Sequence, residues 1–100
     1  MATAILDKVK LAIRISHTKL DTDIQDNITG CLTDLQVHGI KYADESDPLI
    51  LNAVKLWCKS IYTDDTAKAA EYMARYVALR DCLKAAEGYG WKAEEAEADE

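Results

Sequence analysis

The sequence contains no apolar run of the roughly 20 residues that a membrane-spanning helix needs. Its first 15 residues are partly apolar, but four charged side chains interrupt them, so they do not form a signal peptide. Both absences favour an intracellular protein. Of the 100 residues, 49% are hydrophobic and 30% are charged, which is typical of one small globular domain with a single core.

The three cysteines, Cys31, Cys58 and Cys82, lack the CxxC spacing of a zinc or redox site. Each falls on the apolar side of a predicted helix, so all three are predicted to be small buried hydrophobic residues. An odd number of cysteines also fits a reducing compartment, where disulfides are rare.

Motifs that carry chemistry are missing as well. There is no GxGxxG sequence and no P-loop. The acidic stretch 21–27 departs from an EF-hand loop at the fifth, sixth and twelfth positions, and helix capping explains its acids better. His17 and His38 have no cysteine or second histidine at ligand spacing. The sequence therefore predicts no enzyme, metal or cofactor; a Cys/His pair that meets only in space is the one catalytic arrangement left open.

Sequence-specific DNA binding is disfavoured by charge. The net charge is −6, and residues 92–100 alone contribute five acids and one base. A mildly acidic chain is a poor electrostatic match for a phosphate backbone. The third predicted helix would be the recognition helix, and it offers only Lys55 and Lys59.

Apolar residues at three- and four-residue spacing predict four helices. They cover about 3–14, 21–38, 48–62 and 66–87. No segment has the alternation of a convincing strand. We therefore predict an all-α fold, a small bundle of about four helices over residues 1–87, followed by a flexible acidic C-terminal extension at 88–100.

Local signals mark the ends of these helices. Thr22 and Gln25 fit a capping box at the start of the second helix. Gly39 suits the left-handed position that follows it. Asp47 is a predicted N-cap with Pro48 at the first helical position, which is the strongest start signal in the chain.

Two further features concern packing. Gly30 stands in the middle of the second helix, where glycine costs about 1 kcal/mol relative to alanine. That cost predicts the close approach of a neighbouring helix at this point. The third helix is the most hydrophobic of the four and is predicted to be the centre of the bundle.

Two groups of residues are candidates for an interface. Lys8, Lys10 and Arg14 lie off the apolar stripe of the first helix and make it basic. Tyr89 and Trp91 follow the last helix, where an exposed aromatic pair would anchor a partner. The alternative that these two rings fold back on the bundle stays open.

Several short stretches of the sequence are informative because of the order in which they occur. They are "IRIS" at 13–16, "LDTDI" at 20–24, "GI" at 39–40, and "DPLI" at 47–50 leading to "CK" at 58–59. In this order they resemble the head–tail connector proteins of long-tailed bacteriophages, the head-completion adaptor family. The resemblance covers roughly residues 4–86.

The resemblance implies a helical bundle that assembles as a ring, dodecameric on the portal, at the capsid's unique vertex. Such a ring extends the DNA channel and joins the head to the tail. The implied partners are the portal protein, neighbouring copies, a downstream tail-completion protein and non-specific DNA in the channel, with no membrane. The implied location is the virion neck, after synthesis in the host cytoplasm. In the family the C-terminal region reaches toward the portal, which by position would involve Tyr89 and Trp91.

A second interpretation stays open beside this one. The same four helices would also suit a small intracellular module that binds or regulates another protein through one apolar groove. The two interpretations differ in whether the protein ever binds a portal vertex.

Overall fold

The structure, a computed structural model, describes residues 4–40 and 47–85. It contains four helices: α1 (Ala4–Ile13), α2 (Asp21–Val37), α3 (Pro48–Tyr62) and α4 (Thr66–Ala85). The predicted all-α fold is confirmed. The predicted extension at 88–100, with Tyr89 and Trp91, lies outside the described residues. Within 4–40 and 47–85, no helix combines the length and apolar composition that crossing a membrane requires.

Helix α3 is the centre of the bundle, as its composition predicts, because it packs against each of the other three helices. Its fully buried residues are Ile50, Ala53, Val54 and Cys58, which follow the three- and four-residue spacing of one helix face. The core is completed by side chains of residues that are at most 5% exposed: Ile5, Leu6, Val9, Ile24, Ile28, Cys31, Leu35, Ile40, Tyr76 and Leu83.

Side-chain contacts fix the directions of the helices. Lys10 near the end of α1 meets Asp21 at the start of α2. Asn27 in the first half of α2 donates to the Tyr62 hydroxyl at the end of α3, and Lys59 of α3 lies over the Tyr72 ring early in α4. Consecutive helices are therefore antiparallel. One end of the bundle, the cleft end, holds the ends of α1 and α3 and the starts of α2 and α4; the other end is called the distal end.

Two of the predicted helix-end signals, Asp47 and Gly39, are confirmed, and the third, at Thr22, is wrong. The Asp47 carboxylate accepts hydrogen bonds from the backbone N–H groups of Leu49 and Ile50, so it caps α3 as predicted. The predicted capping box at Thr22 is wrong, because α2 begins at Asp21, two residues before the start that a Thr22 cap would give. Its N-cap is Leu20, whose side chain has no oxygen to accept a capping bond.

The end of α2 is a Schellman motif. Gly39 has a φ of 92°, as predicted for the left-handed position. Its N–H donates to the Gln36 carbonyl, and the Ile40 N–H donates to the Leu35 carbonyl. Ile40 and Leu35 are both fully buried, which supplies the apolar contact that accompanies this motif.

Gly30 does not mark a close approach between helices, so that prediction is wrong. The residue is exposed, and a Cβ atom added there would meet nothing within 4 Å. The glycine therefore lowers the helix propensity of α2 without a packing gain that would offset it.

Replacing Gly30 with alanine should raise the free energy of unfolding by about 1 kcal/mol, because alanine loses less backbone freedom in a helix. Urea denaturation measures this directly. The matched control is Gly39→Ala, which should destabilise the protein because a Cβ disfavours a positive φ. A neutral or destabilising Gly30→Ala would contradict the proposed absence of a packing role.

One of the three cysteines predicted to be buried is exposed. Cys31 and Cys58 are fully buried as predicted, and burial raises the pKa of each thiol to about 12. Cys82 is exposed, and Ile61 keeps 45% of its surface accessible. Both belong to the α3–α4 pair, and among the described residues α4 packs mainly against α3. Sequence periodicity identifies an apolar face but not how much of it a neighbour covers.

Helix α4 packs mainly against α3. Only Tyr76 and Leu83 of this helix are buried. The Tyr76 ring meets Trp57 of α3 edge to face at 5.2 Å between centroids. Its hydroxyl donates to the Asp34 carboxylate of α2 at 2.6 Å, so one side chain joins three helices.

Arg80 completes this arrangement. Its guanidinium donates to the same Asp34 oxygen at 3.0 Å and lies over the Tyr76 ring. Burial alone would raise the pKa of Asp34, but the hydrogen bonds from Tyr76 and Arg80 and the nearby His38 outweigh it and lower that pKa. Asp34 is therefore ionised whenever the bundle is folded near neutral pH, and it attracts α4 as an anion.

A carboxylate with a lowered pKa stabilises the fold above its ordinary pKa, and that contribution is lost as the pH falls through the folded value. We expect Asp34→Asn to lower the free energy of unfolding by about 2 kcal/mol at pH 7. The difference from wild type should shrink below about pH 4, the ordinary range of an aspartate.

Urea denaturation between pH 7 and pH 2.5 checks this expectation. Asp64→Asn is the matched control, because Asp64 is exposed and lies outside the network. A difference between Asp34→Asn and wild type that stays constant across this pH range would contradict the assigned role of the Asp34 charge.

Candidate partner-binding cleft

The cleft end of the bundle contains an open cavity of about 370 Å³, here called the basic cleft. It lies where the end of α1 faces the end of α3 and the start of α4. The residues that line it are Ala12, Ile13, Arg14, Lys59, Tyr62, Thr63, Lys68 and Tyr72.

The lining of the basic cleft carries charge of one sign. Arg14, Lys59 and Lys68 line it, and no acidic residue does. Within the part of the chain that the structure describes, none of these three cations forms an ion pair. A concave surface with three unpaired cations attracts anionic groups, because the low-dielectric walls concentrate the field.

The cations come from three different helix ends and are held differently. The ammonium of Lys59 lies 5.7 Å from the centroid of the Tyr72 ring, a distance suited to a cation–π contact. Lys68 is in the first turn of α4, and its backbone N–H donates to the Asp65 carboxylate at 3.1 Å. Asp65 thereby caps α4, so the positive potential of the basic cleft comes from the side chains.

One wall of the basic cleft is formed by Tyr62, whose hydroxyl oxygen is held by two side chains of α2. Asn27 donates to this oxygen at 2.8 Å, and the hydroxyl donates in turn to the Asp23 carboxylate. Burial and the hydrogen bond to Asp23 raise the pKa of Tyr62 to about 12, so the hydroxyl stays neutral. The wall is thus a fixed polar surface with no charge of its own.

Arg14 has a strained backbone. Its φ is 62°, in the left-handed region that residues with a Cβ avoid. The Arg14 N–H donates to the Leu11 carbonyl and the Ile15 N–H donates to the Lys10 carbonyl, so α1 ends in the same Schellman motif as α2. The position that is glycine after α2 is arginine here. The sequence keeps a cation at the cleft at a cost in conformational energy, which favours a functional role for this side chain.

Arg14→Gly should stabilise the fold, because relief of about 1–2 kcal/mol of left-handed strain exceeds the roughly 0.5–1 kcal/mol that glycine costs in chain entropy. We expect a rise in the free energy of unfolding, measured by urea denaturation. Arg14→Ala is the matched control, since it also removes the cation but keeps the Cβ. If alanine stabilised the fold as much as glycine, backbone strain at this position would be excluded.

The three basic residues predicted as an interface are not equivalent. Lys8 is exposed and does not line the basic cleft or the second cavity beside α1 that is described below. The Lys10 ammonium is 2.7 Å from an Asp21 carboxylate oxygen, and only 12% of its side chain is accessible. Lys10 therefore joins α1 to α2, and the free cation of the predicted set that lines the basic cleft is Arg14.

Arg14 also borders a second open cavity on the outer side of α1. This cavity, of about 500 Å³, is lined by Asp7, Lys10, Leu11, Arg14, Ile15 and Ser16. Leu11 beside it is 81% exposed, so its apolar side chain is accessible at this cavity. An apolar and a basic group are thus both available to a partner at the cleft end.

The exposed apolar residues occur at both ends of the bundle. Leu11 and Ile61 lie at the cleft end, and Val37 and Leu49 lie at the distal end. Val37 is 75% exposed at the last position of α2. Both ends therefore expose apolar side chains, and the cleft end adds a cavity lined by three cations, so the two ends differ.

Sequence reasoning missed Lys59 and Lys68 as members of the site. Their separation in the sequence hid that α3 and α4 bring them together beside Arg14. The signal that could have found them is the antiparallel α3–α4 pair with a three-residue connection, which places the end of one helix beside the start of the next.

The acidic stretch 21–27 serves helix packing. Asp21 pairs with Lys10, and Asp23 accepts from Tyr62. Among the residues described, no group of three or more His, Cys, Asp or Glu side chains is placed to hold a metal ion.

Comparisons with protein-family models, curated proteins and solved structures give no match for this chain. The surfaces described above are therefore the features of this chain that bear on its function.

Proposed function

We propose that this chain is a structural head–tail connector, a head-completion adaptor of a tailed bacteriophage or prophage. It assembles as a ring, dodecameric on the portal protein, in the neck of the virion. The ring extends the DNA channel and presents a surface to the next tail-completion protein. The ordered sequence pieces from "IRIS" to "CK" support this proposal, because they resemble that family.

The observation that carries the proposal is the unlike character of the two bundle ends. A ring is built from heterologous contacts, in which each subunit uses two different patches that meet head to tail. Leu11 and Arg14 at the cleft end and Val37 at the distal end provide two such patches. An isologous dimer would need only one.

The basic cleft supplies a polar contact for the same assembly. Arg14, Lys59 and Lys68 would meet an anionic surface on the portal or on a neighbouring copy. Such a contact steers association and fixes the register, and apolar residues such as Leu11 supply buried area.

The test is co-sedimentation of the purified chain with DNA-filled, tailless heads of the phage that encodes it, followed by imaging of the vertex. We expect saturable binding at one vertex and reduced leakage of the genome. The triple variant R14Q/K59Q/K68Q should bind more weakly, and the loss should resemble that of wild type in high salt. Lys8, Lys19 and Lys84 are exposed, so K8Q/K19Q/K84Q is a control with the same change in charge.

The possible binding results test the basic cleft and the connector role separately. Equal binding by the two triple variants would remove the basic cleft from the proposal. Failure of the wild-type chain to bind heads would overturn the connector role and favour the small protein-binding module. A pull-down with the wild-type chain and R14Q/K59Q/K68Q would then identify its partner.

A further inference from the structure

The basic cleft has no anionic partner among residues 4–40 and 47–85, although the chain as a whole is acidic. The charge of the chain is −6, and residues 92–100 contribute five acids and one base, a net of −4. The densest negative charge and the three unpaired cations of the cleft thus belong to one molecule. Their charges are opposite in sign and similar in number.

The covalent chain allows these two regions to meet. Helix α4 starts at the basic cleft, with Lys68 in its lining, and runs to Ala85 at the distal end. The 17 residues between them span about 26 Å at the rise of an α-helix. The 15 residues after Ala85 can extend up to about 50 Å. The acids from Glu94 onward are therefore within reach of the cleft on the same chain.

We propose that the acidic segment 92–100 docks in the basic cleft of its own chain. The carboxylates of the segment pair with Arg14, Lys59 and Lys68, and the contact is reversible because it depends on partly exposed charges. A tether of this length gives an effective concentration of about 1 mM, which favours the intramolecular contact when the protein itself is micromolar.

This docking would regulate the cleft. A partner with an acidic surface must displace segment 92–100 before it reaches the three cations, so free chains avoid premature association and bound chains release the segment. This regulatory consequence rests on the connector proposal. The docking itself is a property of the isolated chain and is measured without phage heads, so failure of one proposal is distinguishable from failure of the other.

Paramagnetic relaxation enhancement on the full-length chain tests the docking. A spin label is attached at Ala96→Cys, with the exposed Cys82 replaced by serine; Cys31 and Cys58 are buried and unreactive. We expect the backbone amide signals of Lys59 and Lys68 to lose intensity. The loss should persist on dilution and disappear in high salt or when the five acids of the segment are changed to amides.

Matched variants separate a specific contact from a general one. R14Q/K59Q/K68Q should abolish the signal loss at the α3–α4 connection, and K8Q/K19Q/K84Q should preserve it. Circular dichroism of each variant establishes that the bundle is folded.

Three results would overturn the proposal. The first is a signal loss confined to residues near Ala85. The second is a loss that R14Q/K59Q/K68Q leaves unchanged. The third is a signal loss that fades on dilution and that also appears in a mixed sample. In that sample one set of chains carries the spin label without ¹⁵N, and the other carries ¹⁵N without the spin label. Such a result would show that the cleft binds the segment of a neighbouring copy.

Discussion

The Tyr76 ring lies against Trp57 of α3 while its hydroxyl binds Asp34 of α2, so this one side chain joins α4 to both of those helices. Helix α4 places one other residue, Leu83, inside the core, and its remaining apolar contacts come from partly exposed side chains that pack against α3. The direction of α4 decides where Lys68 lies. The basic cleft at one end of the bundle is therefore maintained by a contact near the middle of α4.

Much of the fold could be predicted from the sequence, because local physical chemistry determines it. Asp47 and Pro48 specify the start of α3 through backbone groups within three residues, and Gly39 specifies the end of α2 through its φ. Gly30 shows the limit of such reasoning. Its cost in a helix is a local property, whereas the reason for tolerating it depends on neighbours, and here no neighbour is near.

The candidate site was less accessible to sequence reasoning. The basic stripe of α1 could be seen, but the partner of each cation could not. Lys10 and Arg14 are one helical turn apart, yet the first pairs with Asp21 and the second lines the cleft with no ion pair to any residue in 4–40 or 47–85. Lys59 and Lys68 join Arg14 only through the packing of three helix ends. Arg14 has a left-handed backbone because α1 ends at this point, and an arginine in a sequence does not indicate such a conformation.

The order of the helices has a consequence for the rate of folding. Each helix packs against the next one along the chain, and the α1–α3 contact is the main one that skips a helix. Chains whose contacts are mostly local fold within about microseconds to milliseconds, since few long loops must close first. In the ring proposed above, the encounter of folded subunits would then limit assembly, and the folding of each subunit would not.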